Sequence, residues 1–183
     1  LIIGGAPVSK ALKEKLGNIP TQIFETYGMT ETISHIAAKK ITGNPMDNGV
    51  FELLPQVAIR TDDRGCLVVD CPAVSNQTIV TNDLVTILDR KHFQWLGRWD
   101  NVINSGGIKL IPEEIERKLA PFVSSRFFIT GIPDKILGQQ VVLIKEGPKD
   151  QDLDHQLSRI PSLTKFEVPK TIITVPQFIE TAN

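Results

Sequence analysis

The chain has 183 residues, of which 41% are hydrophobic and 22% charged, with a formal net charge of −1. That size allows one ordinary domain or two small ones around a buried core, and the near-neutral balance gives the molecule no electrostatic pull toward nucleic acid or an anionic membrane. No apolar run is long enough to span a bilayer and no signal peptide is visible; Cys66 and Cys71 are too few for a disulfide scaffold and lack the histidine partners and spacing of a zinc site.

Those two cysteines fit free, partly buried thiols in a reducing cytoplasm, which is the expected location. His35, His92 and His155 are scattered and suggest no metal cluster. Leu1 already lies in a strand-like run and Thr181-Ala182-Asn183 ends abruptly, so the chain reads as a fragment of a longer protein.

Leu1-Ile2-Ile3 reads as a buried strand that ends in a glycine turn. Ser9 then caps an amphipathic helix through Leu12 and Leu16, which Gly17 stops. Gln22-Ile23-Phe24 is a second strand, leading into the loop Thr26-Tyr27-Gly28-Met29-Thr30-Glu31-Thr32. From about residue 50 to 97, short β-rich runs (Gln56–Arg60, Cys66–Val69, Leu84–Leu88, Phe93–Leu96) alternate with turns such as Asp62-Asp63-Arg64-Gly65, the pattern of a small antiparallel sheet or barrel. After Arg98 a hairpin is expected around Gly106-Gly107, followed by a helix begun by Pro112 with Glu113, Glu114 and Glu116 in its first turns. Phe127–Thr130 and Gln140–Ile144 are strands, Asp152–Leu157 a short helix and Lys170–Val175 a last strand, an α+β unit with no internal repeat.

The loop after the second strand carries the most chemistry. A glycine lets backbone approach a ligand closely. Tyr27, the single tyrosine of the chain, offers a flat face for a base. Thr30 offers a hydroxyl to a phosphate oxygen, and Glu31 a hard oxygen ligand to magnesium. These are the parts needed to hold a nucleotide at a reacting phosphate.

Four further segments stand in order around it: Ile2-Ile3-Gly4-Gly5-Ala6-Pro7-Val8-Ser9; Thr81-Asn82-Asp83-Leu84; Gly97-Arg98-Trp99-Asp100-Asn101-Val102-Ile103 through Gly107-Ile108-Lys109-Leu110-Ile111-Pro112-Glu113-Glu114-Ile115-Glu116; and Gly131-Ile132-Pro133-Asp134-Lys135 with Gly138-Gln139-Gln140-Val141-Val142. Together with the Thr26–Thr32 signature they resemble the adenylate-forming superfamily of acyl-CoA synthetases, luciferases and peptide-synthetase adenylation domains. Tyr27–Thr32 with Ser34, and Arg98–Gly107 with its Asn-Ser-Gly-Gly stretch, look most like the 2-succinylbenzoate-CoA ligases of menaquinone biosynthesis.

The resemblance implies an α/β and α+β fold. Residues 1–99 would be the C-terminal portion of the large acyl-CoA synthetase-like domain (strands, a helix and a small β-barrel), and residues 100–183 a small mobile α+β domain. It implies an ATP-dependent carboxylate-CoA ligase that works through an acyl-adenylate, with ATP, Mg2+ and coenzyme A as cofactor and co-substrates, a small-molecule carboxylate as partner, no nucleic acid and no membrane span; a homodimer is left open. Gly5, Ala6, Pro7, Thr26, Tyr27, Gly28, Met29, Asp83 and Arg98 would bind ATP or AMP, Asp83 on the ribose hydroxyls and Arg98 on ribose or phosphate. Thr30 and Glu31 would be catalytic, Glu31 also holding the metal. Asp100 would be the hinge, Gly106, Gly107 and Lys109 would meet coenzyme A, and Ser34 and His35 the acyl group.

Two parts of the family's machine do not occur here. These are the Ser/Thr/Gly-rich phosphate loop and the catalytic lysine that follows a Pro-Lys pair and a Gly-Lys; Pro169-Lys170 is present without the Gly-Lys. Residues 1–183 alone are therefore expected not to complete adenylation. Asn82 replaces a family glycine, Asn104 a lysine found in several relatives, and Ala73–Thr81 is shorter than in many acyl-CoA ligases. Other aryl or medium-chain acyl-CoA ligases, a carrier-loading adenylation domain and a non-catalytic AMP-binding module are the competing readings.

Overall fold

Runs of β-branched residues cut by glycine, aspartate and asparagine turns favour strands joined by tight connections. The computed structural model, which describes residues 1–5, 8, 10–43, 49–150 and 152–179, arranges them in two units, Leu1–Leu96 and Gly97–Asn183. Among the described residues no helix is long and apolar enough to cross a membrane.

In the first unit, β1 (Ile2–Ile3) and α1 (Lys10–Gly17) precede β2 (Phe24–Gly28), β3 (His35–Lys40), β4 (Val50–Leu53), β5 (Ala58–Thr61), β6 (Cys66–Asp70), β7 (Ile79–Ile87) and β8 (His92–Arg98), whose last two residues fall in the second unit. The strands form one sheet in the order β1-β2-β3-β4-β8-β7-β6-β5. β1 lies parallel to β2, while β2 and β3, β3 and β4, β4 and β8, β5 and β6, and β6 and β7 pair antiparallel. β6 is buried on both faces, which its unbroken run Cys66-Leu67-Val68-Val69 requires. Its hairpin with β5 is fixed by Asp62, whose carboxylate accepts the amides of Arg64 and Cys66 at 2.9 Å each, and by Gly65 at φ 82°. Phe51, Phe93, Leu67 and Val85 form the core.

The expected barrel is an open sheet: among the described residues the pairing is a single path with β1 and β5 at its edges. β2 runs through Thr26-Tyr27-Gly28, which therefore belong to a strand rather than a loop, because Glu25, Thr26 and Tyr27 pair with Lys39, Ala38 and Ala37 of β3. Neither β3 nor β4 was anticipated; in His-Ile-Ala-Ala-Lys-Lys the alanines and a buried lysine hide the alternation. Cys66 and Cys71 are free and more deeply buried than expected. Ser9, the expected cap of α1, lies outside the described residues.

The second unit comprises β9 (Ile103–Ser105), β10 (Ile108–Leu110), α2 (Pro112–Leu119), β11 (Phe127–Asp134), β12 (Gly138–Glu146), α3 (Leu153–Leu157) and β13 (Thr171–Val175). Its sheet order is β10-β9-β12-β11, with β13 parallel to β12 after the crossover through α3. Gly106 and Gly107, both at positive φ, make the two-residue turn between β9 and β10. α2 starts at Pro112, carries Glu113 and Glu114 in its first turn and Arg117 and Lys118 in its last, and buries Ile115 and Leu119 against Ile129 and Leu143.

One buried ionic knot ties the start of the first unit together. Glu25 on β2 pairs with Lys13 of α1 at 2.8 Å and with its cross-strand neighbour Lys39 at 3.0 Å, and accepts the amide of Val8 at 3.2 Å. Burial alone would raise its carboxyl, but the Lys13 hydrogen bond and the Lys39 charge outweigh that and hold it below the ordinary glutamate value. Glu25→Ala leaves Lys39 buried without this partner, so we expect a loss of about 3–5 kcal/mol, read by urea denaturation; a loss below about 1 kcal/mol would contradict the pairing.

Candidate functional site

The residues after β2 turn sharply. Thr30–Thr32 form a single 3-10 turn, closed by the Thr32 amide on the Met29 carbonyl at 3.1 Å. The Thr32 hydroxyl, fully buried, accepts the Met29 amide at 3.0 Å and lies 2.9 Å from the Met29 carbonyl and 2.7 Å from that of Ser34, sharing its one proton between them. This holds Ile33 at φ 61°, an unfavourable angle for a β-branched residue, with its side chain 81% exposed. Gly28 is needed for the chain's own return: a Cβ there would come within 2.6 Å of the His35 Cα and 2.5 Å of the Ser34 carbonyl.

Thr30 and Glu31 are exposed on this turn, and neither side chain makes a hydrogen bond among the described residues. Ser34 is exposed and its hydroxyl lies 3.1 Å from Nδ1 of half-buried His35. The glycine loop is brought beside the strand as well: the Thr26 hydroxyl donates to the Ile3 carbonyl at 3.3 Å, and a Cβ on Gly4 would collide with that hydroxyl. Gly5 adopts φ 93°, while Ala6 and Pro7 lie outside the described residues. Met29 is half-buried at the foot of the turn.

Asp83 sits within β7, not in a turn, and is 8% exposed. The Tyr27 hydroxyl donates to its Oδ2 at 2.6 Å and the Trp95 indole N–H to its Oδ1 at 3.2 Å. The Tyr27 ring packs edge-on against Phe93 with centroids 5.3 Å apart, and tilted against Phe51 at 5.8 Å. Trp95 was not singled out in the sequence; the signal was there in a tryptophan whose N–H needs a partner when buried, on a strand of the same run as Asp83.

In the second unit, Arg98 donates to Asp100 at 3.1 Å in an exposed pair. Gly106 donates its amide to the Leu137 carbonyl at 2.8 Å, and the Lys109 ammonium lies over the Trp99 ring, 4.5 Å from its centroid. A cleft of about 460 Å³ is lined by Asp100, Asn101, Glu113, Glu116, Thr130 and Gln139 among others. Among the described residues no group of His, Cys, Asp or Glu could by itself hold a metal ion.

No protein-family profile matches the chain. Individual proteins do. The chain is 26% identical to 2-succinylbenzoate–CoA ligase of Listeria monocytogenes over 203 aligned positions, which take in 100% of this chain and 43% of the ligase. An acyl-CoA synthetase (AMP-forming)/AMP-acid ligase II-like protein from Dyadobacter fermentans superposes with a TM-score of 0.54 at 37% identity, over 98% of this chain and 53% of that one. The chain belongs to the adenylate-forming superfamily. Wild-type E. coli MenE, solved with a bound m phenylether-linked analogue of OSB-AMS, shares the fold, with a TM-score of 0.79 at 23% identity over 99% of this chain and 43% of that one. This member of the superfamily thus spans under half the length of the Listeria relative it matches.

Two side chains give this superfamily member testable energetics. Removing the hydroxyl in Tyr27→Phe keeps the ring packing but deletes the hydrogen bond to Oδ2 of Asp83, and should cost about 1.5–3 kcal/mol in thermal unfolding. Glu116 is pushed up to about 7, by burial first and by the Glu113 charge, against the lowering effect of the Ile129 amide at 2.8 Å. A carboxyl raised on folding holds its proton more tightly in the native state, so its contribution is present at acid pH and is lost as pH rises from 4.5 through about 7. With some solvent contact remaining, the loss is about 2 kcal/mol; Glu116→Gln should flatten that part of the stability–pH curve relative to the parent protein.

Proposed function

We propose that the protein carrying this chain is an AMP-forming carboxylate–CoA ligase whose acid is 2-succinylbenzoate. The observation that carries this reading is the Tyr27–Asp83 contact, two residues 56 positions apart joined at 2.6 Å, beside the turn that exposes Thr30 and Glu31. It gathers a ring for a base, acceptors for ribose hydroxyls and groups for a phosphate in one unit. The ligase name of the Listeria relative supports the choice of acid.

In this reading Gly5, Ala6 and Pro7 border the adenine, with Thr26, Gly28 and Met29 framing the Tyr27 face. Asp83 accepts the ribose hydroxyls, and Arg98 exchanges its Asp100 pair for ribose or phosphate. Thr30 donates to the α-phosphate. Glu31, exposed and without a hydrogen bond among the described residues, suits a magnesium ion that takes most of its ligands from phosphates and water; bound there, the ion would offset phosphate charge. The substrate carboxylate oxygen attacks the α-phosphorus and pyrophosphate leaves. The coenzyme A sulfur then attacks the acyl carbonyl, the carbonyl–oxygen bond to phosphate breaks, AMP departs and the thiol proton is released to solvent. Asp100 is the hinge between these steps, Gly106, Gly107 and Lys109 border the arriving thiol arm, and Ser34 and His35 meet the acyl group.

Thioester formation by the natural full-length protein with ATP and coenzyme A tests the reading, comparing 2-succinylbenzoate with benzoate, medium-chain fatty acids and amino acids. Strong preference for 2-succinylbenzoate is expected. Preference for another acid keeps the ligase and discards the substrate, and no thioester with any acid discards the ligase. In the same assay Glu31→Gln should lower kcat by about 10²-fold or more, with stability unchanged within about 0.5 kcal/mol because the side chain is exposed.

A further inference from the structure

Glu113 stands at the second position of α2, where an acidic side chain needs no explanation beyond the helix dipole. Its contacts go further. Its Oε1 accepts the side-chain amide of Asn101 at 2.6 Å and the backbone amide of Arg98 at 3.3 Å. The carboxylate also lies against Gly97: a Cβ there would collide with Oε2 and come within 2.6 Å of Ile111 Cγ2. Oε2 is buried and has no hydrogen-bond partner among the described residues. One carboxylate therefore holds both sides of Asp100, through the residue after it and the amide two before it.

We propose that Glu113 is a positioning residue, a latch that fixes the Gly97–Asn101 segment in one backbone arrangement and must let go when Asp100 rotates. This rests on the ligase reading above, in which Asp100 is the hinge between two half-reactions. A rotation about Asp100 moves Asn101 relative to Arg98, and a single carboxylate oxygen cannot follow both. The latch is built to release. Its Oε2 is desolvated without a partner, a standing cost that opening recovers by letting water reach the carboxylate. A hinge held by two fully satisfied hydrogen bonds would open less readily.

The test uses the natural full-length protein with Glu113→Ala, Glu113→Gln and Asn101→Ala, alone and with Ala at both positions. Two readouts are taken: amide exchange at Arg98, and the ratio of the adenylation rate to the thioester-forming rate in single turnovers. Glu113→Ala should speed exchange of the Arg98 amide at least tenfold and change the rate ratio at least fivefold. Glu113→Gln, which keeps an acceptor oxygen, should restore most of both. The doubly substituted protein should shift the ratio no further than Glu113→Ala alone, because the two residues act through one contact. Unchanged Arg98 exchange, or two half-reactions that fall together, overturns the latch. Should the parent protein form no adenylate with any acid, the ligase reading fails, and Arg98 exchange alone still decides whether Glu113 holds the segment.

Discussion

A carboxylate as enclosed as Asp83 needs hydrogen-bond donors. It finds them in Tyr27 and Trp95, and that choice bends the sheet. In the strand order β2-β3-β4-β8-β7, the Tyr27 and Asp83 strands are four steps apart, which in a flat sheet is about 19 Å. A tyrosine and an aspartate cannot bridge that. The 2.6 Å hydrogen bond is therefore available only because the sheet curls, with Tyr27, Phe51 and Phe93 on its inner face at centroid separations of 5.3 to 5.8 Å. Aromatic packing supplies the curl, and the buried acid gives it a fixed stopping point. This also explains why a barrel-like sequence pattern gives an open sheet: the curvature is met from the inside by rings and an acid, with no pairing of β1 to β5 among the described residues.

The same inner face carries Glu25, two residues before Tyr27 on β2 and so on the same side of the strand. The two polar groups work on different neighbours. Glu25 gathers Lys13 and Lys39, and the Lys39 ammonium also lies 4.7 Å from the centroid of the Phe51 ring. Tyr27 packs on that same Phe51 ring, with centroids 5.8 Å apart, and on Phe93 at 5.3 Å. β2 is thus pinned at both ends before the chain enters the turn. The next exposed side chains, Thr30 and Glu31, make no hydrogen bond among the described residues.

Much of this was legible in the sequence. The helix at Pro112, the Gly106-Gly107 turn and the strands of the second unit follow from local rules that each segment satisfies alone. The failures share a cause. β3 was missed because Lys39 is buried through a partner fourteen residues earlier, which no periodicity can reveal. β7 begins at Ile79, before the expected start at Leu84, because Thr81, Asn82 and Asp83 look like turn residues until Arg64 is seen holding the Asn82 side chain at 2.9 Å and the Thr81 carbonyl at 3.1 Å. Trp95 and Glu113 had ready local explanations, a strand aromatic and a helix-dipole acid, that concealed their longer-range partners. Polar residues satisfied across the fold are the ones a local reading gets wrong.

The strained turn shows how these constraints combine. Ile33 at φ 61° costs about 1–3 kcal/mol, and an exposed isoleucine recovers little by burial. The conformation persists because Thr32 determines it from both sides, taking the Met29 amide and giving its proton to the Met29 or Ser34 carbonyl. A glycine at position 33 would remove the strain, yet it would also free the turn to sample other shapes, and Thr30 and Glu31 would lose their common orientation. With an isoleucine there, the turn has few alternatives once Thr32 is in place. Order in this turn comes from excluding other conformations, so its exposed hydroxyl and carboxylate are presented together at the end of the pinned strand.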